Sequence, residues 1–175
     1  GYDKAHSLKL TPTGTLYVCG VTTSRDLPAS VDAVKSKPES TTQADGFVAR
    51  FDNQQLTHLT YLGTSADDIV YLLDIDPNNN PYVFGSTRGK YPVTTGTYQN
   101  AGSSQFIHAL DANLSKTLFS TVIGSGRATP DIAPTAFLIN ECGNIYLAGW
   151  GGAVNVRTGY NLSSRTLGLP VTSTA

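Results

Sequence analysis

The stretch NIYLAGWGG, residues 144–152, has two weaker copies earlier in the chain, TLYVCG at residues 15–20 and PYVFG at residues 81–85. Each copy contains a Tyr followed by an aliphatic residue, one further residue and a Gly. The three tyrosines follow one another at intervals of 65 and 64 residues. A repeat this regular indicates an architecture in which each copy is one supersecondary unit that packs against its neighbours.

Short alternating segments surround each copy and predict four antiparallel strands per repeat. The first repeat has such segments at residues 5–10, 15–20, 46–52 and 58–62, and the second at residues 69–75, 81–85, 105–111 and 117–123. The third repeat begins the same order at residues 135–139 and 144–149. Its third and fourth strands are missing, and its connection is longer than that of the second repeat.

The absence of helical periodicity, together with these strands, predicts an all-β fold of β-propeller-like, four-stranded antiparallel blades. Residues 1–66 form blade 1, residues 67–130 form blade 2, and residues 131–175 form a partial blade 3 with an extended connection. About two and a half blades cannot close a ring, so we expect exposed sheet faces and edges. Remaining blades of the same or another chain would cover them.

The composition excludes two classes of partner. Only 14% of the residues are charged and the formal net charge is −1, so bulk charge attracts neither nucleic acid nor an anionic membrane. No apolar run approaches the roughly 20 residues of a spanning helix, and no signal peptide is visible. Because the chain contains no Met, we expect it to be a mature or excised segment of a longer protein.

Several motifs resemble the secreted bacterial seven-bladed β-propeller (SBBP) repeat. The matching motifs are DGFVARF at residues 45–51, YLG at 61–63, DD at 67–68, YVFGST at 82–87, YPVT at 91–94 and GNIY at 143–146. A narrower likeness, CGNIY at 142–146 followed by GWGG at 149–152, resembles large surface proteins of gliding bacteria and their relatives. The chain departs from the repeat in its longer connection after Trp150.

The resemblance implies an exported, extracellular or cell-surface protein, of the kind that carries a type IX sorting domain and crosses the outer membrane. It implies a non-catalytic role in adhesion or assembly, with a protein or glycan at the cell surface as partner and no catalytic residues. One alternative is the truncated propeller of a glycan-acting enzyme, which requires two carboxylates converging on a pocket. Another is an accessory subunit joined to a larger outer-membrane or secretion assembly through its open blade edge.

The extended connection of the third repeat supplies the candidate ligand site. Trp150 stands between glycines that let its ring project from the backbone, an arrangement suited to stacking on a sugar or anchoring a partner. Asn155, Arg157 and Tyr160 follow with hydrogen-bonding groups. In the alternative interpretation, Trp150 packs on a neighbouring blade and the glycines form a bulge.

A turn in the second repeat offers the only cofactor alternative, a calcium ion bound by Asp74, Asp76, Asn78 and Asn80. Oxygen ligands at alternate positions suit calcium. The twelfth position of the loop is Gly85, where a calcium loop has a bidentate Glu. Asp and Asn also favour turns for backbone reasons alone, so we expect no cofactor and an ordinary hairpin turn.

We expect structural roles for the histidines, for the aspartates between repeats and for the two cysteines. No two of the three histidines have metal-ligand spacing. Asp68, with Asp3 and Asp131 at similar places, is expected to cap a turn between blades by accepting from backbone N–H groups. Cys19 and Cys142 lie at unlike positions of the repeat, which favours two buried free thiols over the alternative of a disulfide.

Overall fold

A computed structural model describes residues 1–151 and 166–173, and this part of the chain contains strands but no helix. The strands are β1 (Asp3–Leu10), β2 (Leu16–Thr22), β3 (Asp45–Asp52), β4 (Gln55–Leu62), β5 (Asp68–Ile75), β6 (Pro81–Thr87), β7 (Gln105–Leu110), β8 (Thr117–Ile123), β9 (Ala133–Ile139) and β10 (Ile145–Trp150). Two four-stranded antiparallel sheets have the orders β1-β2-β3-β4 and β5-β6-β7-β8, and β9 pairs with β10. The prediction of an all-β, antiparallel chain is confirmed.

The three sequence repeats, residues 1–66, 67–130 and 131–175, are called units 1, 2 and 3. Several strands extend beyond their predicted ends because tight turns allow pairing to continue. Between β3 and β4, for example, Asn53 and Gln54 both have positive φ (50° and 66°), as a two-residue type I′ turn requires. Asp52 therefore pairs with Gln55, and β4 begins three residues earlier than its sequence pattern indicated.

Every unit requires a glycine at this repeated position for the same structural reason. The first strand of each unit has a β-bulge, between Ala5 and Ser7, between Val70 and Leu72, and opposite the step from Ala148 to Gly149. A Cβ at Gly20, Gly85 or Gly149 would collide with a backbone carbonyl oxygen of the bulged strand. The glycine of each Tyr-x-x-Gly motif thus permits a close approach that no other residue allows.

Unit 1 packs face to face on unit 2, and unit 2 packs on the short sheet of unit 3. β5 contacts β1, β2 and β3 on one side and β9 on the other. Apolar side chains from both sides of the interface between units 1 and 2 form the core. They include Tyr17, Cys19 and Val48 of unit 1 and Val70, Leu73 and Val83 of unit 2. A four-stranded sheet covers its faces only through such neighbours.

Polar contacts fix the relative position of the units. The Tyr17 hydroxyl donates to the Ala112 carbonyl (2.8 Å), which joins β2 to the turn between β7 and β8. Asp74 pairs with Lys9 Nζ (2.7 Å) and accepts from the Ile139 N–H (2.8 Å). A single buried carboxylate of β5 therefore contacts both neighbouring units.

Both end faces of the stack are exposed, as the sequence predicted. Leu8 is 66% exposed, whereas Leu73, the equivalent residue of unit 2, is 5% exposed because unit 1 covers it. At the opposite end, Tyr146 is 53% exposed, whereas the equivalent Tyr17 is 1% exposed. Within residues 1–151 and 166–173, no helix reaches the length and hydrophobicity of a membrane span.

Candidate functional site

Trp150 is the last residue of β10 and is 52% exposed. Asn155, Arg157 and Tyr160 lie outside the described residues. The bulge at Gly149 confirms one part of the packing alternative, namely that a glycine serves a β-bulge. Half of the Trp150 surface nevertheless faces outward, so its role as a ligand-stacking ring stays a prediction.

Thr166 lies close to Gly151, the residue that follows β10. A Cβ at Gly151 would lie 2.9 Å from the Thr166 amide nitrogen and 3.0 Å from the Asp131 carbonyl oxygen. Beyond Thr166, Leu169 helps to line a recess of about 240 Å³ together with Leu147 of β10. Tyr98, Gln105 and Ile123 of unit 2 also line this recess, so it lies between units 2 and 3, and Trp150 is not part of its wall.

The carboxylates of the calcium alternative already have partners. Asp76 Oδ1 accepts from the backbone N–H groups of Asn78 (2.8 Å) and Asn80 (2.9 Å), and Asp76 Oδ2 accepts from the Asn80 amide (3.0 Å). Asp74 is buried against Lys9. These contacts are those of an Asx-type turn. In the described part of the chain, no group of three or more His, Cys, Asp or Glu residues has the geometry to hold a metal ion.

Asp68 and Asp131 act as caps, as predicted, whereas Asp3 accepts from the hydroxyl groups of Thr22 and Ser24 in its own unit. Asp68 Oδ2 accepts from the Thr64 N–H (2.6 Å), and Asp131 Oδ2 accepts from the Ser125 N–H (2.8 Å). Both carboxylates are fully buried. Each one ties the first strand of its unit to the segment that leaves the fourth strand of the preceding unit.

A second buried carboxylate, which the sequence analysis did not single out, lies beside Asp68. Asp45 is the first residue of β3 and is fully buried. A Cβ at Gly63 would lie 2.9 Å from Asp68 Oδ2 and would collide with Asp45 Oδ1. Among the described atoms, Asp45 Oδ1 and Asp68 Oδ1 have no hydrogen-bond partner. Two carboxyl groups therefore face the same glycine at the interface between units 1 and 2.

Two cations partly compensate this pair. Arg25 Nη1 lies 3.2 Å from Asp45 Oδ2, and Lys35 Nζ donates to the Gly63 carbonyl. Burial, and then the negative charge of Asp68, raise the pKa of Asp45 to about 6 against the attraction of Lys35 and Arg25. Burial also raises the pKa of Asp68, although hydrogen bonds from hydroxyl and amide groups oppose the shift. Asp45 therefore takes up a proton at mildly acidic pH.

Two neighbouring carboxyl groups can serve general acid–base catalysis when their environments separate their pKa values. Here both side chains are fully buried, and neither lines either of the two cavities described in this section. Catalysis requires hydrogen-bond reach to a substrate atom. In this geometry the raised pKa of Asp45 instead makes the contact between units 1 and 2 sensitive to pH.

His108 has a structural role, in agreement with its sequence interpretation. Its Nδ1 lies 3.0 Å from the Tyr91 hydroxyl and its Nε2 lies 2.9 Å from Thr117 Oγ1. The Tyr91 ring stacks on Phe106 with a centroid distance of 3.8 Å. Burial lowers the pKa of His108 to about 4, so the imidazole is neutral at physiological pH.

The two cysteines are free, and they differ in exposure. Cys19 is buried in the core, where burial raises the pKa of its thiol to about 12. Cys142 is exposed in the turn between β9 and β10, so the prediction of a buried thiol is wrong at this position. The physical reason is that Cys142 lies in a hairpin turn, where the equivalent residues Thr13 and Asn78 are exposed as well.

The connection between β6 and β7 borders a cavity of about 790 Å³ that no sequence motif indicated. Arg88, Lys90, Gln99 and Ser103 contribute polar groups to its wall, and Tyr91 contributes an aromatic ring. The Arg88 side chain is 80% exposed. Cationic and hydroxyl groups around an open cavity suit an anionic or hydroxyl-rich ligand.

This cavity and the surface around Trp150 are therefore the two candidate binding sites in the described chain. The long connection between β6 and β7 forms most of the cavity wall, with Val122 of β8 and Ala128 beyond it, which is why residue spacing alone did not reveal the cavity. No protein-family model matches the chain, and no curated protein matches it significantly in sequence.

Proposed function

We propose that this chain is a non-catalytic binding or structural module, built of β-propeller blades, in an exported multidomain surface protein that acts in adhesion or assembly. The order of the first strands carries this proposal. β1 contacts β5, and β5 contacts β9, while each unit continues outward as an antiparallel sheet. Adjacent first strands with face-packed sheets agree with blades arranged around a common axis.

The use of the buried polar groups supports the non-catalytic part of the proposal. The carboxylates of Asp68, Asp74 and Asp131 accept hydrogen bonds that join units or cap turns. His108 is enclosed between Tyr91 and Thr117. Side chains of the types that perform catalysis thus stabilise the repeat, and the polar groups left at the surface suit recognition.

Two surfaces offer different recognition chemistry. Trp150 presents an aromatic face that suits stacking on a sugar ring or an apolar anchor of a partner. Arg88 and Lys90 present cations beside a cavity of about 790 Å³, which suits an acidic or uronic-acid-containing glycan. The export and surface location of the protein rest on the motif resemblance.

Binding to a panel of neutral and acidic surface polysaccharides and of surface proteins tests the proposal. We expect saturable binding of at least one class, weakened by Trp150→Ala or by the double substitution Arg88→Ala and Lys90→Ala. Lys116→Ala is the matched control, because Lys116 is an exposed cation remote from the cavity wall. No binding across the panel, or equal losses in all three variants, would contradict it.

One observation favours the glycan-acting enzyme as a second candidate, namely the pair Asp45 and Asp68. For that reading, units 1 and 2 would have to separate far enough to admit a sugar between the two carboxylates. The enzyme would then release reducing ends from a polysaccharide, and both Asp45→Asn and Asp68→Asn would abolish the release. Binding without release favours the module.

The accessory-subunit alternative has its support at the open end of unit 3. In the described part of the chain, β10 has β9 as its only strand partner. An exposed strand edge is a template for pairing with another segment.

A further inference from the structure

Units 1 and 2 differ at one buried position that borders the cavity of about 790 Å³. In unit 1, Asp45 at the start of β3 pairs with Thr22 at the end of β2. In unit 2, the N–H of Thr87 at the end of β6 donates to the Ser104 carbonyl (2.8 Å), so Ser104 takes the place of Asp45. Ser104 lines the cavity. A hydroxyl therefore stands in unit 2 where unit 1 has a carboxylate.

The cation that accompanies this position is present in both units, but only unit 1 gives it a carboxylate partner. Arg25 lies three residues beyond the end of β2, and its Nη1 is 3.2 Å from Asp45 Oδ2. Lys90 lies three residues beyond the end of β6, is exposed and lines the cavity. Among the described residues, no carboxylate forms an ion pair with Lys90. Unit 2 thus has the cation of this arrangement without the anion.

The Ser104 hydroxyl gives an independent indication that an acceptor is missing. Ser104 is 3% exposed, and its Oγ has no hydrogen-bond partner among the described atoms. The adjacent Ser103 differs, because its Oγ accepts from the Gly126 N–H (3.0 Å). A buried hydroxyl without a partner destabilises the folded chain. An acceptor atom that enters the cavity and contacts Ser104 removes this penalty.

Unit 2 also lacks the repulsion that Asp45 meets in unit 1. The negative charge of Asp68 raises the pKa of Asp45. The equivalent of Asp68 in unit 2 is Asp131, whose Oδ1 lies 2.7 Å from Arg127 Nη2. Because this ion pair compensates the charge of Asp131, a carboxylate that approaches Ser104 meets less repulsion than Asp45 does.

We propose that the cavity binds an acidic sugar through its carboxylate, which takes the place that the Asp45 carboxylate has in unit 1. The sugar carboxylate accepts from the Ser104 hydroxyl and pairs with Lys90. Arg88, whose side chain is 80% exposed on the same wall, adds a second cation. The inference rests on the proposed function, and it assigns the acidic-glycan ligand of that function to this cavity and to these groups.

The size and the wall of the cavity favour a sugar over a small anion or an acidic peptide. A free inorganic anion would leave most of the roughly 790 Å³ to water. The exposed Gln99 amide on the wall both donates to and accepts from hydroxyl groups. A peptide pairs its backbone with an open strand edge, whereas β6 and β7 beside this cavity have strand partners on both sides.

Calorimetric titration of the full chain with trimers of galacturonic, glucuronic and mannuronic acid tests the proposal. We expect saturable binding of at least one trimer. The methyl ester of that trimer keeps its hydroxyl groups but loses its charge, so we expect it to bind at least about tenfold more weakly. Added salt should weaken binding of the acid more than that of the ester, because exposed cations are screened.

Ser104→Asp introduces into unit 2 the carboxylate that unit 1 has at this position. We expect it to weaken binding of the trimer at least about a hundredfold, because two carboxylates would compete for one place. Ser36→Asp is the matched control, since it adds the same charge at an exposed serine of unit 1 and should leave binding unchanged.

A second variant answers the question if Ser104→Asp does not fold, which its melting profile shows. Ser104→Ala removes the hydroxyl alone, and we expect it to weaken binding of the acidic trimer about tenfold with little effect on the ester. Unchanged binding of the trimer in the folded Ser104 variants would overturn the inference. So would equal affinity for a tri-glutamate peptide, or no binding of any acidic trimer.

Failure of this inference is distinguishable from failure of the proposed function. A neutral glycan or a surface protein that still binds when the acidic trimers do not leaves the proposed function standing. Absence of binding to every glycan and protein tested contradicts both.

Discussion

Replacing Asp45 by Asn is expected to stabilise the protein at pH 7, because Asp45 is ionised there in a buried site beside Asp68. Burial and the neighbouring carboxylate raise the pKa of Asp45 from 3.8 to about 6. A difference of about 2 pKa units corresponds to at most about 3 kcal/mol of unfolding free energy. Asn mimics the neutral acid and donates toward the Asp68 carboxylate, so we expect a gain of about 1–3 kcal/mol.

The sign of the pH dependence follows from proton binding. Between pH 4 and pH 6 the folded state binds more protons at Asp45 than the unfolded state, so the unfolding free energy falls as the pH rises through this range. Above about pH 6, the unfolding free energy lost through the ionised Asp45 carboxylate no longer changes with pH. The substitution Asp45→Asn removes the contribution of Asp45 to this pH dependence of the unfolding free energy.

His108 produces the opposite slope. Burial lowers its pKa from 6.5 to about 4, so the unfolded state binds the proton first as the pH falls. Its contribution makes the unfolding free energy rise with pH between about 4 and 6.5, by at most about 3 kcal/mol. The contributions of Asp45 and His108 to the pH dependence have opposite signs, so Asp45→Asn should shift the net pH dependence toward that of His108, with the raised pKa of Asp68 still opposing it.

Urea unfolding followed by circular dichroism at half-unit steps from pH 4 to pH 8 is the assay. Asp26→Asn serves as control, since it removes the same charge from an exposed position and should change stability by less than about 0.5 kcal/mol. An Asp45→Asn variant that is no more stable than wild type at pH 7, with an unchanged slope, would refute the reasoning.

Three further outcomes are expected. Gly85→Ala should destabilise the protein by about 1–3 kcal/mol in denaturant unfolding, because the added methyl collides with a backbone carbonyl and an aromatic ring; an unchanged midpoint would contradict the bulge argument. Asp74→Ala should cost about 3–5 kcal/mol and Asp74→Asn less, since only Ala leaves the cross-unit N–H unpaired; equal losses would count against this role. A thiol reagent should label Cys142 rapidly in the native protein and Cys19 only after unfolding.

The repeat and its strands were predictable because they depend on local patterns. Tyr-x-x-Gly marks the second strand of each unit, and alternation around Phe47 and Phe106 marks the third. These residues recur at fixed places because every unit solves the same packing problem. The caps formed by Asp68 and Asp131 were predictable for the same reason.

Features that arise between units were not predictable from one sequence. Asp45 meets Asp68 only because unit 1 packs on unit 2, and Gly63 gave no sign that two carboxylates face it. The cavity beside Arg88 depends on the path of a long connection. Tertiary contacts, and no local pattern, determine both features.

The account's central claim, a module that binds without catalysis, is tested most directly by measuring binding and turnover on the same sample. A polysaccharide that binds saturably is incubated with the protein, and released reducing ends are counted alongside the retained complex. We predict binding with no release above the background of a heat-unfolded control. Release that tracks protein concentration, and that disappears in both Asp45→Asn and Asp68→Asn while binding persists, would contradict the claim.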